Sequence, residues 1–352
     1  MKTIFKYISL IGITVILNFC ADEPLTQTPK DSTEWLVPKD EVFDGGPGRD
    51  GIPALDKLNF NTVDNTNYLQ NSNLVIAIKM NNEVRVYPHA ILDWHEIIND
   101  EIGANKFAIT YCPLTGSGIG WNRIIDGDET TFGVSGLLYN TNLIPYDRKS
   151  GSNWSQMKLQ CINGTLISQS VKVVPIIETS WSTLKSSYPN AKVVSENTGY
   201  SRNYEQYPYG DYRTNNSSLL FPVSNKDERV PAKNRVLGVF DGDKTKAYQI
   251  LDFASPGNLV IDKFNTKTVL VYGNIGKNII VAFDVSNLSS SLTFTTLASD
   301  LPWIIKDSNN NKYDLFGHSQ NGNLQLQPIK SYIAYWFAWA AFYQNTLLYE
   351  KE

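Results

Sequence analysis

The chain has 352 residues, 42% hydrophobic and 19% charged, enough for one large domain or two ordinary ones with a buried core. A net charge of −4, with Lys and Arg scattered along the chain, excludes the basic face that nucleic acid requires. The 19 Tyr, 15 Phe and 8 Trp, set among Asn-, Gly- and Ser-rich turns, suit a β-rich fold.

Lys2 and Lys6 precede an apolar run from Ile8 to Leu17, which stops short of Cys20. A charged start before a short apolar stretch is the pattern of an export signal, too short for a settled membrane-spanning helix. A cysteine directly after it matches a bacterial lipoprotein signal, with Cys20 lipidated. Asn18 and Phe19 are bulkier than that pattern's usual residues, so simple cleavage or an uncleaved anchor also fits. The expectation is a signal peptide over residues 1–19 and an exported chain. Cys20 would hold it to a membrane of the bacterial envelope, at a periplasmic or outer-membrane face. Residues 20–45, polar and Pro-bearing, read as a tether. Cys112 and Cys161 then share an oxidising compartment, and the sequence leaves their pairing open.

The first half, residues 46–200, opens with strands at 74–79 and up to Tyr87 around an Asn81-Asn82-Glu83 turn. A helix is expected from Pro88 to about Asn99, with Pro in the first turn where its missing N–H costs nothing. His95 falls on that helix's apolar face beside Ile91 and Ile98, and Glu96 on its edge. His89 lies about 240° around from His95. Strands at 106–112 and 118–125 flank a Gly-rich turn. Cys112 ends the first of them, and Pro113 holds it extended. The free N–H groups of Gly116, Ser117 and Gly118 suit an anion-binding nest. Hairpins follow, carrying Tyr139, Asp147, Arg148 and Trp154, and a helix at 179–188 closes the half.

Residues 201–230, the continuation of a Tyr- and Gly-rich stretch beginning near 197, lack periodicity and read as a linker. The second half, residues 231–352, repeats the first. Val75 faces Val236 and Tyr87 faces Tyr248 at an offset of 161. The offset shortens to 158 at Asn163 and Asn321, and to 155 at Trp181 and Trp336. An apolar helix at 332–344 closes it. The fold expected is mainly β with some α, as two tandem homologous halves of antiparallel strands, each with one or two packed helices. His95 faces Pro256, Glu96 faces Gly257 and Cys112 faces Gly273, so the repeated scaffold itself does not demand those three residues.

Together YPHAILDWHEIIND, TYCPLTGSG, FGVSGLLYNTNL, YDRKSGSNWSQ and the closing YWFAW resemble the bacterial domain of unknown function 3179, from about Asp50 to the C-terminus. The resemblance implies an exported or envelope-associated protein and marks His95, Glu96, Asn99, Asp100, Cys112 and Pro113. It implies no particular activity. Thr115 stands where many relatives carry a second cysteine, which counts against a dithiol redox role.

Three readings follow. In the first, His95 and Cys112 bind copper or zinc, with Glu96 or a hairpin residue completing the set. In the second, Cys112 is the nucleophile of a hydrolase or transferase, with His95 as base, Glu96 as orienter and Gly116, Ser117 and Gly118 as oxyanion donors. In the third, the aromatic hairpins around Trp154 and Tyr139 hold a small molecule or a partner protein without catalysis.

Overall fold

A computed structural model describes residues 33–297 and 299–351 of the chain. The expected export signal and Cys20 lie outside those residues. Leu74–Met80 and Glu83–Pro88 form an antiparallel hairpin. Its two-residue turn, Asn81-Asn82, has φ of 50° and 65°, the left-handed geometry that matches strand twist. Arg235–Asp241 and Lys244–Gln249 repeat this hairpin around Gly242, at φ 61°. The molecule is mostly β, built from several antiparallel sheets, with three α-helices among the described residues.

The largest sheet has eight strands. Its main path runs Leu347–Leu348, Lys244–Gln249, Arg235–Asp241, Ser331–Tyr335, Ser117–Asn122, Asn105–Cys112 and Ile97–Ile102, so strands from both halves of the chain share it. The seam is where Ile333 opposes Gly118. Strand pairings recur at the sequence offsets. Val75 opposes Pro88, and Val236 opposes Gln249. Ile177 opposes Ala77, and Tyr332 opposes Gly238. Lys192 runs parallel beside Arg85, and Leu347 beside Lys246. The hairpins of Asn105–Cys112 with Ser117–Asn122 and of Lys267–Asn274 with Ile279–Asp284 differ in register by two residues.

Helix α1 covers His89–His95 and stops four residues before the expected end. Glu96 at φ 58° breaks it, and β-branched Ile97 and Ile98 start a strand. Helix α2 covers Trp181–Ser187, with the Ser180 side chain accepting from the Thr183 N–H as a cap. Helix α3 is Trp336–Phe342 only, because Tyr332 to Tyr335, expected as its first turn, belong to the central strand Ser331–Tyr335 and are buried. No helix among the described residues is long and apolar enough to cross a membrane. The described end of the expected tether is part of the fold. Val42–Asp44 pairs with Phe132–Tyr139, and Val37 packs with Ile144 and Ile162.

Trp339 of α3 lies flat on Gly238, where an added Cβ would sit 2.0 Å from the indole ring. Gly238→Ala forces a displacement in a core without free space, and the expected loss is about 1–3 kcal/mol in urea unfolding.

Candidate functional site

The joint between α1 and strand Ile97–Ile102 positions the site. Pro88 leads straight from strand to helix, and after two turns the Glu96 N–H donates to Leu92 O at 2.8 Å. Glu96 then takes φ 58° with ψ −34°, outside the usual left-handed well, at a cost of about 1–3 kcal/mol for a residue other than glycine. The matched residue of the second half, Gly257, also has positive φ, 118°, and bears it without a side-chain penalty. The joint requires the conformation, and a glutamate holds it where glycine would be cheaper.

His95 ends the helix fully buried. Its Nδ1–H donates to Pro53 O at 2.7 Å, a carbonyl that only accepts. Nε2 therefore accepts, and the Tyr204 hydroxyl donates to it at 2.7 Å. The Thr198 hydroxyl in turn donates to Tyr204 at 2.5 Å. Burial pushes the imidazole below its ordinary pKa, so it is neutral with both nitrogens engaged.

Glu96 is 6% exposed, and burial pushes its carboxyl up to about 8. Cys112 is fully buried at the end of strand Asn105–Cys112. Its thiol donates to Thr141 O at 3.7 Å and has the Thr115 hydroxyl beside it. Burial, and then the Glu96 carboxyl, push the thiol up to about 11. Of the expected site residues, Glu96 is the one whose charge acts on the Cys112 thiol. His95, expected as the base of Cys112, instead spends both ring nitrogens on Pro53 and Tyr204. The helix end aims the imidazole at the 198–204 segment, and the backbone turn at Glu96 re-aims the next side chain toward the thiol.

The stretch read as a linker covers this site. Beyond the Tyr204 bond, the Tyr207 hydroxyl donates to Pro113 O at 3.3 Å and the Tyr212 hydroxyl to Leu114 O at 3.0 Å. The Arg213 guanidinium pairs with Asp93 and lies 3.7 Å from the centre of the Tyr207 ring. Burial, followed by Glu96 and Cys112, holds the Tyr209 hydroxyl far above its ordinary pKa. Five tyrosines between Tyr200 and Tyr212 were the sequence signal for this packing, since rings so dense call for a surface to bury against.

Further buried charges lie alongside, none of them anticipated as part of a site. Glu178 accepts from Arg235 and has His89 Nε2 at 3.5 Å from Oε1. The His89 ring packs on Tyr111 with centroids 4.4 Å apart. Lys233, 7% exposed, places Nζ 3.0 Å from the Tyr212 ring centre, with Tyr335 and Phe337 near, and has no hydrogen-bond acceptor. Burial pushes its amine down to about 7. The signal for Glu178 was a carboxylate inside an apolar strand, VVPIIETSW.

The expected anion nest is filled. An added Cβ on Gly116 would meet the Tyr335 ring at 2.7 Å, and the Tyr335 N–H donates to Thr115 O. Ser117 and Gly118 pair with Cys112 and Tyr111 in the ladder. The Ser117 hydroxyl donates to Gln156 Oε1 at 2.8 Å, and Asn142 donates to the same oxygen at 2.7 Å. Asn99 and Asp100 serve the scaffold. Asn99 staples its strand to Phe132 and Asp56, while Asp100 accepts from Arg85 and Tyr87. Trp154 and Tyr139, expected at accessible hairpin tips, are core residues. Cys112 and Cys161 are both buried and are not joined to each other by a disulfide. Among the described residues no three His, Cys, Asp or Glu side chains gather as metal ligands.

The geometry defines a mostly β protein with a buried carboxyl–thiol pair under a tyrosine-bearing segment. The chain belongs to the family described as Protein of unknown function (DUF3179), matched over residues 49–346, which takes in both halves and the covering segment. No curated protein matches the chain, and no solved structure does.

Glu96 fixes a pH dependence of stability. Its folded pKa lies above that of the unfolded chain, so between the two the folded state holds the extra proton and stability falls as pH rises. Urea unfolding of the wild type should weaken progressively from the ordinary carboxyl range up to about pH 8, and Glu96→Gln should flatten that slope.

Proposed function

We propose that this chain is a cysteine-nucleophile enzyme of the acyl-transfer class, in which Glu96, rather than His95, is the base that activates Cys112. The observation that carries this reading is Glu96 itself. Its carboxyl is buried beside the thiol, uncompensated by any cation, on a backbone turn that glycine would hold at less cost. Such a group, titrating near neutral pH, suits proton transfer. The Cys112 S–H bond breaks as its proton passes to the Glu96 carboxylate, and the sulfur pair attacks an ester or thioester carbonyl. The leaving group departs with the proton returned by Glu96, and water or an acceptor then takes the acyl group. A pKa gap from about 8 to about 11 costs roughly 4 kcal/mol for the first transfer, well inside an enzymatic barrier. Substrate enters when the segment carrying Tyr207, Tyr209 and Tyr212 lifts from Pro113 and Leu114.

The recurring strand registers support a further part of this reading, that the halves descend from one unit and only the leading copy holds the catalytic pair. At the position matching Cys112, Gly273 is pressed by the Phe253 ring, 2.2 Å from where a Cβ would stand.

p-Nitrophenyl acetate tests the chemistry. The folded chain should release nitrophenolate and gain one acetyl group on Cys112 by mass spectrometry, at a rate rising with pH through about 8. Glu96→Gln should slow the acylation by on the order of a hundredfold or more, Cys112→Ser should abolish the thioester, and His95→Gln should leave the pH profile in place. Acylation undiminished in Glu96→Gln contradicts the proposal.

We also propose export and membrane attachment through Cys20, supported by Lys2, Lys6 and the apolar run that follows. Cells expressing the full chain and fed radiolabelled palmitate should yield a labelled membrane-fraction protein, and Cys20→Ala should remove the label.

A further inference from the structure

We propose that a cavity between the two halves, separate from the Glu96–Cys112 pair, binds an anionic amphiphile, an aliphatic chain lying inside and its head group meeting Lys172 and Lys330. The cavity has a volume of about 410 Å³, within the range of small-molecule sites. Its walls come from both halves. Ile176 and Ile177 line one side, and Leu237, Val281, Phe283 and Ile333 the other. Neither Glu96 nor Cys112 borders it.

The lining selects against a polar ligand. The Tyr332 hydroxyl is spent on Met157 O at 2.8 Å, so its ring presents carbon to the space. Glu178 borders the cavity, but Arg235 neutralises its carboxylate. Walls of this kind hold water poorly, and an aliphatic chain gains by replacing it.

Charge at the rim selects the other end of the ligand. Lys172, Pro175 and Lys330 border the cavity and are exposed, so it opens to solvent between two ammonium-bearing chains. Among the described residues, the lysine ion pairs are made by Lys79, Lys106, Lys149, Lys192, Lys246, Lys267 and Lys312, and neither rim lysine has one. The Lys330 ammonium rests 4.8 Å from the Phe240 ring centre, a weak contact it can exchange for an anion. Apolar walls closed by two uncommitted cations match a fatty carboxylate or an alkyl phosphate. A neutral alcohol gains only the walls, and an alkylammonium meets repulsion.

Isothermal titration of the full chain with dodecanoate, dodecyl phosphate, dodecanol and dodecyltrimethylammonium tests this. One molecule of dodecanoate or dodecyl phosphate should bind per chain with a Kd of about 10 μM, the tighter of the two identifying the head group. Dodecanol and dodecyltrimethylammonium should bind at least about tenfold more weakly. Lys172→Glu with Lys330→Glu, both at exposed positions, should weaken the anions about tenfold or more. Ile176→Trp, at the half-buried mouth, should block them. Absence of saturable binding, dodecanol binding as tightly as dodecanoate, or a charge-reversed chain that binds the anions undiminished would each overturn the proposal. Neither Glu96 nor Cys112 lines the cavity, so acylation of Cys112 should be unchanged in these variants and the two sites are tested separately.

Discussion

A single backbone conformation governs the site. Helix α1 must end and a central strand must begin within one residue, and the chain turns the corner at Glu96 with φ 58° and ψ −34°. The hydrogen bond from the Tyr111 N–H to Glu96 O at 2.7 Å ties that corner to the strand that ends in Cys112. The carboxyl is thereby held, largely buried, on the same side of the sheet joint as a fully buried thiol whose ionisation it disfavours. Low polarity then acts on both groups in the same direction, raising the carboxyl to about 8 and the thiol to about 11. Each is neutral just below neutral pH, and a charge on Glu96 would raise the thiol further.

The surrounding structure keeps that arrangement in place. The eight-stranded sheet draws Ser331–Tyr335 from the far end of the chain against Ser117–Asn122, so the second half walls the first where the Gly-rich turn would otherwise be open. Tyr335 occupies the hollow at Gly116, and the buried amides of Asn142 and Gln156 satisfy the hydroxyls beneath it. From the opposite side the 198–213 segment seals the helix end through Tyr204, Tyr207, Tyr212 and Arg213. Nearly every polar group there has a partner, which gives weight to the few without one. Lys233 Nζ, His89 Nε2 and Asp93 Oδ1 lack a hydrogen bond, and burial alone acts on the Glu96 carboxyl.

Much of the strand order was legible in the sequence because turn chemistry and alternation are local. The Asn81-Asn82 and Gly242 turns and the strand ending at Cys112 all depend on neighbours along the chain. Helix ends were less legible. Periodicity extended α1 to Asn99 because Ile97 and Ile98 continue its apolar face, and only the sheet, through pairing of Ile97 with Thr110, claims them as strand. The closing helix was overextended for the same reason, since Tyr332 to Tyr335 suit either state until Arg235–Asp241 pairs with them. The site was half legible. The sequence singled out His95, Glu96 and Cys112, but it expected the imidazole to face the thiol, whereas both His95 nitrogens are spent on Pro53 and Tyr204. Which way a side chain leaves the end of a helix depends on one φ angle, and no spacing rule carries it. Glu178 with Arg235, Arg213 with Asp93 and Lys233 on Tyr212 meet only through tertiary packing, and spacing along the chain does not pair them.

The account rests on Glu96 being a neutral acid at the pH where an ordinary glutamate is ionised. Carbon-detected NMR of the chain labelled at its glutamate carboxyl carbons, with Glu96→Gln assigning the resonance, measures that property directly. The account predicts a titration midpoint near 8 for Glu96 while exposed glutamates titrate in the ordinary range. A midpoint in the ordinary carboxylate range would mean that the carboxyl is solvated or paired, and would contradict the account.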